Sequence, residues 1–355
     1  MNEPYDAILF VSFGGPEGMQ DVMPFLENVL RGKNVPEARM REVAHHYELF
    51  NGVSPINSQN RALIEKLGKL LAREGPQLLI YWGNRNWHPM LADALRQMKA
   101  DGIKRALAFM TSAYSSYSGC RQYRENILRA GAEAEAEDLQ IDKLRVFYNH
   151  PLFVEANADC LRRALDKIPA ERRASAQVAF TAHSIPLSMS ANCDYEIQLT
   201  ETCRLVAEAL QVENWQLVYQ SRSGPPTQAW LDPDICEHLR ELKRAGAQDA
   251  VIAPVGFISD HMEVLYDLDT EARQLCEEIN LNVVRAETAG THPKFVRMIR
   301  ELILERIAPE TTPRRASGAC GANHDVCPAN CCLIGAMRPV AATPAVSGVA
   351  RRTNV

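Results

Sequence analysis

Long apolar runs are missing from this chain: none reaches the ~18 residues that a membrane-crossing helix needs. The opening residues, Met1–Asp6, are polar and acidic, without the basic region, apolar core and small-residue cleavage site of a secretory signal. Positive charge is not in excess either. With 39 Lys and Arg against 44 Asp and Glu, the net charge is −5 and the pI about 6.0, so no basic face is offered to nucleic acid. The phosphate-binding pattern G-x-x-x-x-G-K-[ST] does not occur, and Gly14-Gly15 is too little for a dinucleotide fingerprint. No G-x-S-x-G nucleophile elbow is found. These absences predict a cytoplasmic protein with no integral membrane segment and no nucleic-acid partner.

What is present is a globular composition, 46% hydrophobic and 23% charged, on a 355-residue chain long enough for two domains. The ten cysteines are unevenly spread. Cys120, Cys160, Cys193, Cys203, Cys236 and Cys276 sit within periodic segments, as small buried hydrophobes do. Cys320, Cys327, Cys331 and Cys332 crowd into thirteen residues near the end. In a reducing compartment such a cluster points to a metal site rather than to disulfides.

Short apolar runs alternate with helical patterns. Strands are predicted at Ala7–Val11, Gln77–Tyr81, Arg105–Met110, Val178–Thr181, Gln216–Tyr219, Ala250–Pro254 and Asn282–Val284. Helical patterns run over Tyr195–Leu210, Asp234–Arg244, Asp260–Glu278 and Pro293–Ile307. This alternation predicts parallel sheets covered by helices in two lobes, 1–150 and 151–308, with His150-Pro151 at the crossover. A cysteine-rich tail, 309–340, follows, and 341–355 has the Ala/Pro/Thr/Ser texture of disordered chain.

Ligands of open α/β sheets collect at the carboxyl ends of strands. There, Thr181-Ala182-His183-Ser184-Ile185-Pro186 offers a histidine able to act as base, metal ligand or proton shuttle, or one simply tied to backbone. Glu263, Asp267 and Glu271, spaced four apart, place carboxylates along one helical face, where they could relay a divalent cation. Asp260 to Glu263 equally matches a helix-capping box. Arg222, in Gln220-Ser221-Arg222-Ser223-Gly224-Pro225, could bind a carboxylate or pin its loop. The loops Gly83-Asn84-Arg85-Asn86-Trp87 and Thr111–Ser118 suit a large flat ligand with polar edges.

These segments, with Ser12-Phe13-Gly14-Gly15-Pro16 and Tyr47 through Gly52-Val53-Ser54-Pro55-Ile56, resemble the ferrochelatase family in order and spacing over residues 5–308. The match is strongest to the bacterial coproporphyrin ferrochelatases that carry a [2Fe–2S] cluster. The resemblance implies the class II chelatase fold: two Rossmann-like lobes, parallel sheets flanked by helices, and a porphyrin cleft between them. It implies insertion of Fe²⁺ into coproporphyrin III, with transient contacts to the preceding and following heme-pathway enzymes. His183 and Glu263 would be the catalytic, metal-binding pair facing each other across the macrocycle, with Asp267 and Glu271 as an acidic path behind. Phe13, Arg31, Tyr47, Ser54 and Tyr123 would contact the porphyrin. Phe13 stands where some relatives have a tyrosine and cannot ligate iron; His46 stands where some have an arginine. The cluster would be held by Cys160, Cys320, Cys327 and Cys332, leaving Cys331 spare. Other readings are a protoporphyrin IX enzyme, a cobalt or nickel chelatase of a corrinoid pathway, a non-catalytic heme carrier, and a tail that binds zinc or carries electrons.

Overall fold

A computed structural model describes residues 5–32, 35–225 and 227–334. The segment 341–355, expected to be disordered, lies outside them, as does the end of the expected tail. Eight strands form two four-stranded parallel sheets. The first contains β1 (Ala7–Ser12), β2 (Leu79–Asn84), β3 (Arg105–Met110) and β4 (Gln140–Lys143), in the order β2-β1-β3-β4. The second contains β5 (Gln177–His183), β6 (Trp215–Gln220), β7 (Asp249–Ala253) and β8 (Asn282–Arg285), in the order β6-β5-β7-β8. β1, β3 and β7 are buried along their whole length because helices cover both faces, which is why they read as unbroken apolar runs.

Two departures from the sequence reading have local causes. β4 has no predicted counterpart: it is a four-residue edge strand, polar and half-exposed, so it carries no hydrophobic period. The expected continuous helix over 260–278 is instead Met262–Tyr266, a π-helical turn Asp267–Ala272, and Arg273–Glu278. Asp260 does not cap it. His261 does, its Nδ1 accepting from the Glu263 N–H at 3.3 Å, while Asp260 is drawn off to Arg285 at 3.1 Å.

The sheets share a core. One apolar cluster runs from Ile8 and Phe10 through Phe109, Phe147, Phe153 and Phe295 to Ala182, Tyr195 and Tyr219. The helix Pro293–Ile307, last in the chain, contributes to this layer and packs on the helices Ile56–Glu74 and Pro151–Leu165. Beneath it the fully buried Arg145 donates to both carboxylate oxygens of Glu305, at 2.7 and 2.9 Å, and to the Arg315 carbonyl at 2.7 Å. Among the described residues beyond it, 308–334, there is no helix or strand, yet this stretch is pinned to the first lobe. Ser317 donates to the Asn149 carbonyl, Asn149 to that of Gly321, and Lys143 to that of His324.

Because both charges of Arg145–Glu305 are buried, removing one leaves the other without compensation. Glu305→Ala is expected to destabilise the protein by about 3–5 kcal/mol, read as a lowered urea midpoint. A midpoint unchanged from wild type would remove this pair from the forces holding the last helix and tail.

Candidate active site

β5 lies beside β7 in the sheet, so the loops leaving their carboxyl ends adjoin. His183 is the last residue of β5, and Glu263 stands in the first helical turn after β7. Their side chains meet, His183 Nε2 lying 3.6 Å from Glu263 Oε1, with 34% and 46% of each exposed. His183 Nδ1 contacts the Ser184 carbonyl, which fixes its proton on Nδ1 and turns Nε2 to the carboxylate. The Tyr195 hydroxyl holds the His183 carbonyl at 3.0 Å. Two atoms 3.6 Å apart leave no room for a ring that needs about 3.5 Å on either side. As placed here the two side chains therefore touch directly, with no gap for a ring between them, where the resemblance implied partners facing each other across a macrocycle.

Desolvation alone would lower the His183 pKa; the Glu263 carboxylate outweighs it and lifts the imidazole to about 9. Glu263 is the converse: desolvation would raise it, but His183, helped by His261, brings it to about 2. His261, a second histidine beside the carboxylate and given no role in the sequence expectation, lies 3.9 Å from Glu263, and desolvation keeps its own pKa below the usual value. Behind the pair, desolvation raises Asp267 to about 7 against bonds from Ser221 and Gln220. The Ser221 hydroxyl donates to Asp267, and Gln220 Nε2 donates to Asp267 at 3.3 Å and to the Glu263 carbonyl at 3.1 Å. Glu271 is also raised by desolvation, then by Asp234. Arg222, an alternative carboxylate binder, donates to the Gln228 carbonyl at 3.1 Å.

The porphyrin-contact candidates divide. Phe13 and Tyr47 both pack edge-on against Phe25, which also meets Trp87, and this aromatic group abuts Met262, next in chain to Glu263. Burial and the nearby Glu263 raise the Tyr47 pKa. Ser54 is buried beside Gly15, its N–H on the Pro16 carbonyl at 2.9 Å. Gly14 has φ +82°, and a β-carbon there would lie 2.8 Å from that of Asn84, so only glycine fits this turn. Tyr123 is reached through Arg85, whose guanidinium lies 4.4 Å from the Tyr123 ring centre and 5.5 Å from that of Phe13. Arg31 stands apart, exposed at a helix end and bonded to Asn28. Arg85 is the residue that sequence reading undervalued: its loop was noticed, but nothing in the sequence shows that its cation joins two rings from different segments.

The tail cysteines also converge. Ligand atoms of His324, Cys327 and Cys331 lie within 4.8 Å of one another, and the sulfurs of Cys331 and Cys332 are 3.3 Å apart. Cys120 joins them through a hydrogen-bond contact with Cys327. Cys320 lies beside Tyr148 instead. Cys160 is buried elsewhere, its thiol 3.7 Å from the Thr288 carbonyl and 3.3 Å from Arg163 Nη2. A donor set this rich in sulfur fits an iron–sulfur cluster, and equally a thiolate zinc site.

The ferrochelatase family model matches residues 5–307. A protein named ferrochelatase from Rhodopirellula baltica is 57% identical, with 95% of each chain covered. One named coproporphyrin III ferrochelatase from Streptomyces coelicolor is 52% identical, with 96% of each covered. Among solved structures, SirB from Bacillus subtilis with Fe³⁺ superposes with a TM-score of 0.53 over 88% of this chain and all of that one; at 15% identity this supports the two-lobed chelatase fold alone. Among the described residues no helix is long and apolar enough to cross a membrane.

Since His183 holds a proton up to about pH 9, a metal ion taking Nε2 must displace it. Affinity for Co²⁺, followed by its visible absorption, should therefore rise about tenfold per pH unit between pH 7 and 8.5 and level off near 9. Glu263→Gln removes the charge that raises the imidazole while leaving its desolvation, so the remaining affinity should be flat over that range. A flat profile in the wild type would show that Nε2 is not the competing site.

Proposed function

The chain belongs to the ferrochelatase family, and on that premise we propose that it inserts Fe²⁺ into coproporphyrin III to give coproheme in heme biosynthesis. The identity to a coproporphyrin III ferrochelatase along nearly the whole chain supports the substrate. The observation that carries the chemistry is the His183–Glu263 contact.

The reaction exchanges two pyrrole protons for one divalent cation and needs no electron. Glu263, held ionised, is the base that accepts the two pyrrole protons in turn, and the proton His183 gives up, handing on each before the next arrives. His183, once its own proton has left, offers Nε2 to the incoming iron. Asp267, near neutrality, takes a proton from Glu263 and passes it on toward Glu271. The order of these carboxylates by distance from the pair suits removal of protons from the reaction centre. Phe13 and Tyr47 lay an apolar floor for the ring; Arg31, Ser54 and Tyr123 meet its propionates by charge-assisted or neutral hydrogen bonds. Porphyrin contacts thus come from 1–150, metal chemistry from 151–308, and the tail from 309 on is a separate cysteine-bearing segment. We assign the protein to the cytoplasm, on its sequence composition. Its tail holds a [2Fe–2S] cluster, with Cys327 and Cys332 among the ligands; the grouping of thiols supports this reading. When bound, such a cluster supplies a thiolate-ligated iron centre that fastens the tail, outside the proton and metal exchange.

His183→Ala should abolish iron insertion while porphyrin binding persists. Glu263→Gln should lower kcat by about 10²–10⁴-fold with little change in porphyrin affinity. Asp267→Asn and Glu271→Gln should cost less, in that order. Equal losses at the three acids, measured by single-turnover absorbance, would favour a diffuse electrostatic role.

Coproporphyrin III should be preferred to protoporphyrin IX when kcat/KM values are measured side by side under anaerobic conditions. A preference for protoporphyrin would change the substrate and leave the chemistry as described.

A further inference from the structure

The turn Tyr117–Arg121 that follows β3 is π-helical and carries Cys120, a buried thiol beside Cys327 of the returning tail. Its neighbour Arg121 donates to the carbonyls of Ala329 at 2.8 Å and Cys331 at 3.1 Å, so the backbone on either side of the tail thiols is clamped to this turn. Lys143, from the edge strand β4, holds the His324 carbonyl at 3.1 Å and brings a cation to the same place. Cys332 is buried and has a left-handed backbone, φ 55°, a conformation that residues bearing a β-carbon keep only where their surroundings dictate it. The sulfurs of the adjacent residues Cys331 and Cys332 lie 3.3 Å apart, and that of Cys331 is grouped with Cys327. The Cys160 thiol is engaged elsewhere, with the Thr288 carbonyl and Arg163 Nη2, both from the second lobe.

We propose that Cys120 is the thiol the folded body contributes to the cluster, and that Cys331 serves where Cys320 was expected, making the ligands Cys120, Cys327, Cys331 and Cys332. This rests on the reading of the tail as a metal-binding segment. Four thiolates complete a [2Fe–2S] ligand set without any from the second lobe. The cluster then fastens the tail to the turn from which the Tyr123 helix, Gln122–Glu133, begins. It is a staple between two segments about two hundred residues apart in sequence.

The test compares full-length wild type, Cys120→Ala, Cys160→Ala, Cys320→Ala and Cys331→Ala, purified anaerobically and measured for visible absorption, iron and zinc. Wild type, Cys160→Ala and Cys320→Ala should be red-brown with about two irons per chain, the content of a [2Fe–2S] cluster. Cys120→Ala and Cys331→Ala should be colourless, with at least tenfold less iron, while coproporphyrin still binds and so reports an intact fold. Colour kept in Cys120→Ala and lost in Cys160→Ala overturns the assignment and leaves the cluster standing. Zinc without iron–sulfur absorption in the wild type overturns the cluster reading alone; loss of that zinc in Cys120→Ala still supports the thiol set. A wild type binding neither metal overturns both. Independently of metal, dibromobimane on the metal-stripped wild type should join Cys120 to Cys327 in peptide maps, and a Cys160-to-tail crosslink would refute the arrangement.

Discussion

An imidazole and a carboxylate 3.6 Å apart, drawn from loops eighty residues distant in sequence, set the chemistry of this molecule. The contact exists because β5 and β7 are hydrogen-bonded neighbours running the same way, so that both chains leave the sheet at one edge. Each partner decides the other's proton. Desolvation opposes charge on both, yet the histidine stays protonated and the glutamate ionised because each stabilises the other's charge. A pair of this kind is stable at rest and gives way only to a stronger cation, which a divalent metal is.

The acids behind the pair depend on struts that carry no chemistry. Arg285 grips Asp260 and Asp269 from opposite sides, at 3.1 and 2.7 Å, fixing both ends of the segment bearing Glu263 and Asp267. Gln59 of the first lobe receives the Asp260 N–H at 2.8 Å, and His46 stacks on Tyr266 with ring centres 3.6 Å apart. The acidic segment is thus held by both lobes. The π-helical turn widens the helix at Asp267, where Ser221 and Gln220 approach its carboxylate.

The aromatic group on the first lobe packs on Met262, next in chain to Glu263, so it adjoins the His183–Glu263 pair. A flat apolar ligand seated on Phe13 and Tyr47 would present its centre to the His183–Glu263 side. The half-buried Arg85 ties that seat together by lying against both Phe13 and Tyr123.

The sequence by itself determined the strands that both faces bury, since continuous apolar runs such as Ala7-Ile8-Leu9-Phe10-Val11 have no other stable use. It also determined that His183 stands at a strand end and Glu263 in the first helical turn after a strand, because strand, turn and helix signals follow each other there in order. Tertiary structure alone decided which loops touch: no local pattern says that the loop after β7 rather than that after β6 brings its carboxylate to His183, or that the two side chains meet directly. It decided the edge strand β4, whose polar residues are paired only because β3 is beside them. It decided the partner of the tail thiols as well. Cys120 and Cys160 read alike along the chain, as buried thiols in periodic segments, and only the returning path of residues 309–334 brings one of them to Cys327. Periodicity reports which face of an element is buried; it carries no information on what arrives from two hundred residues away.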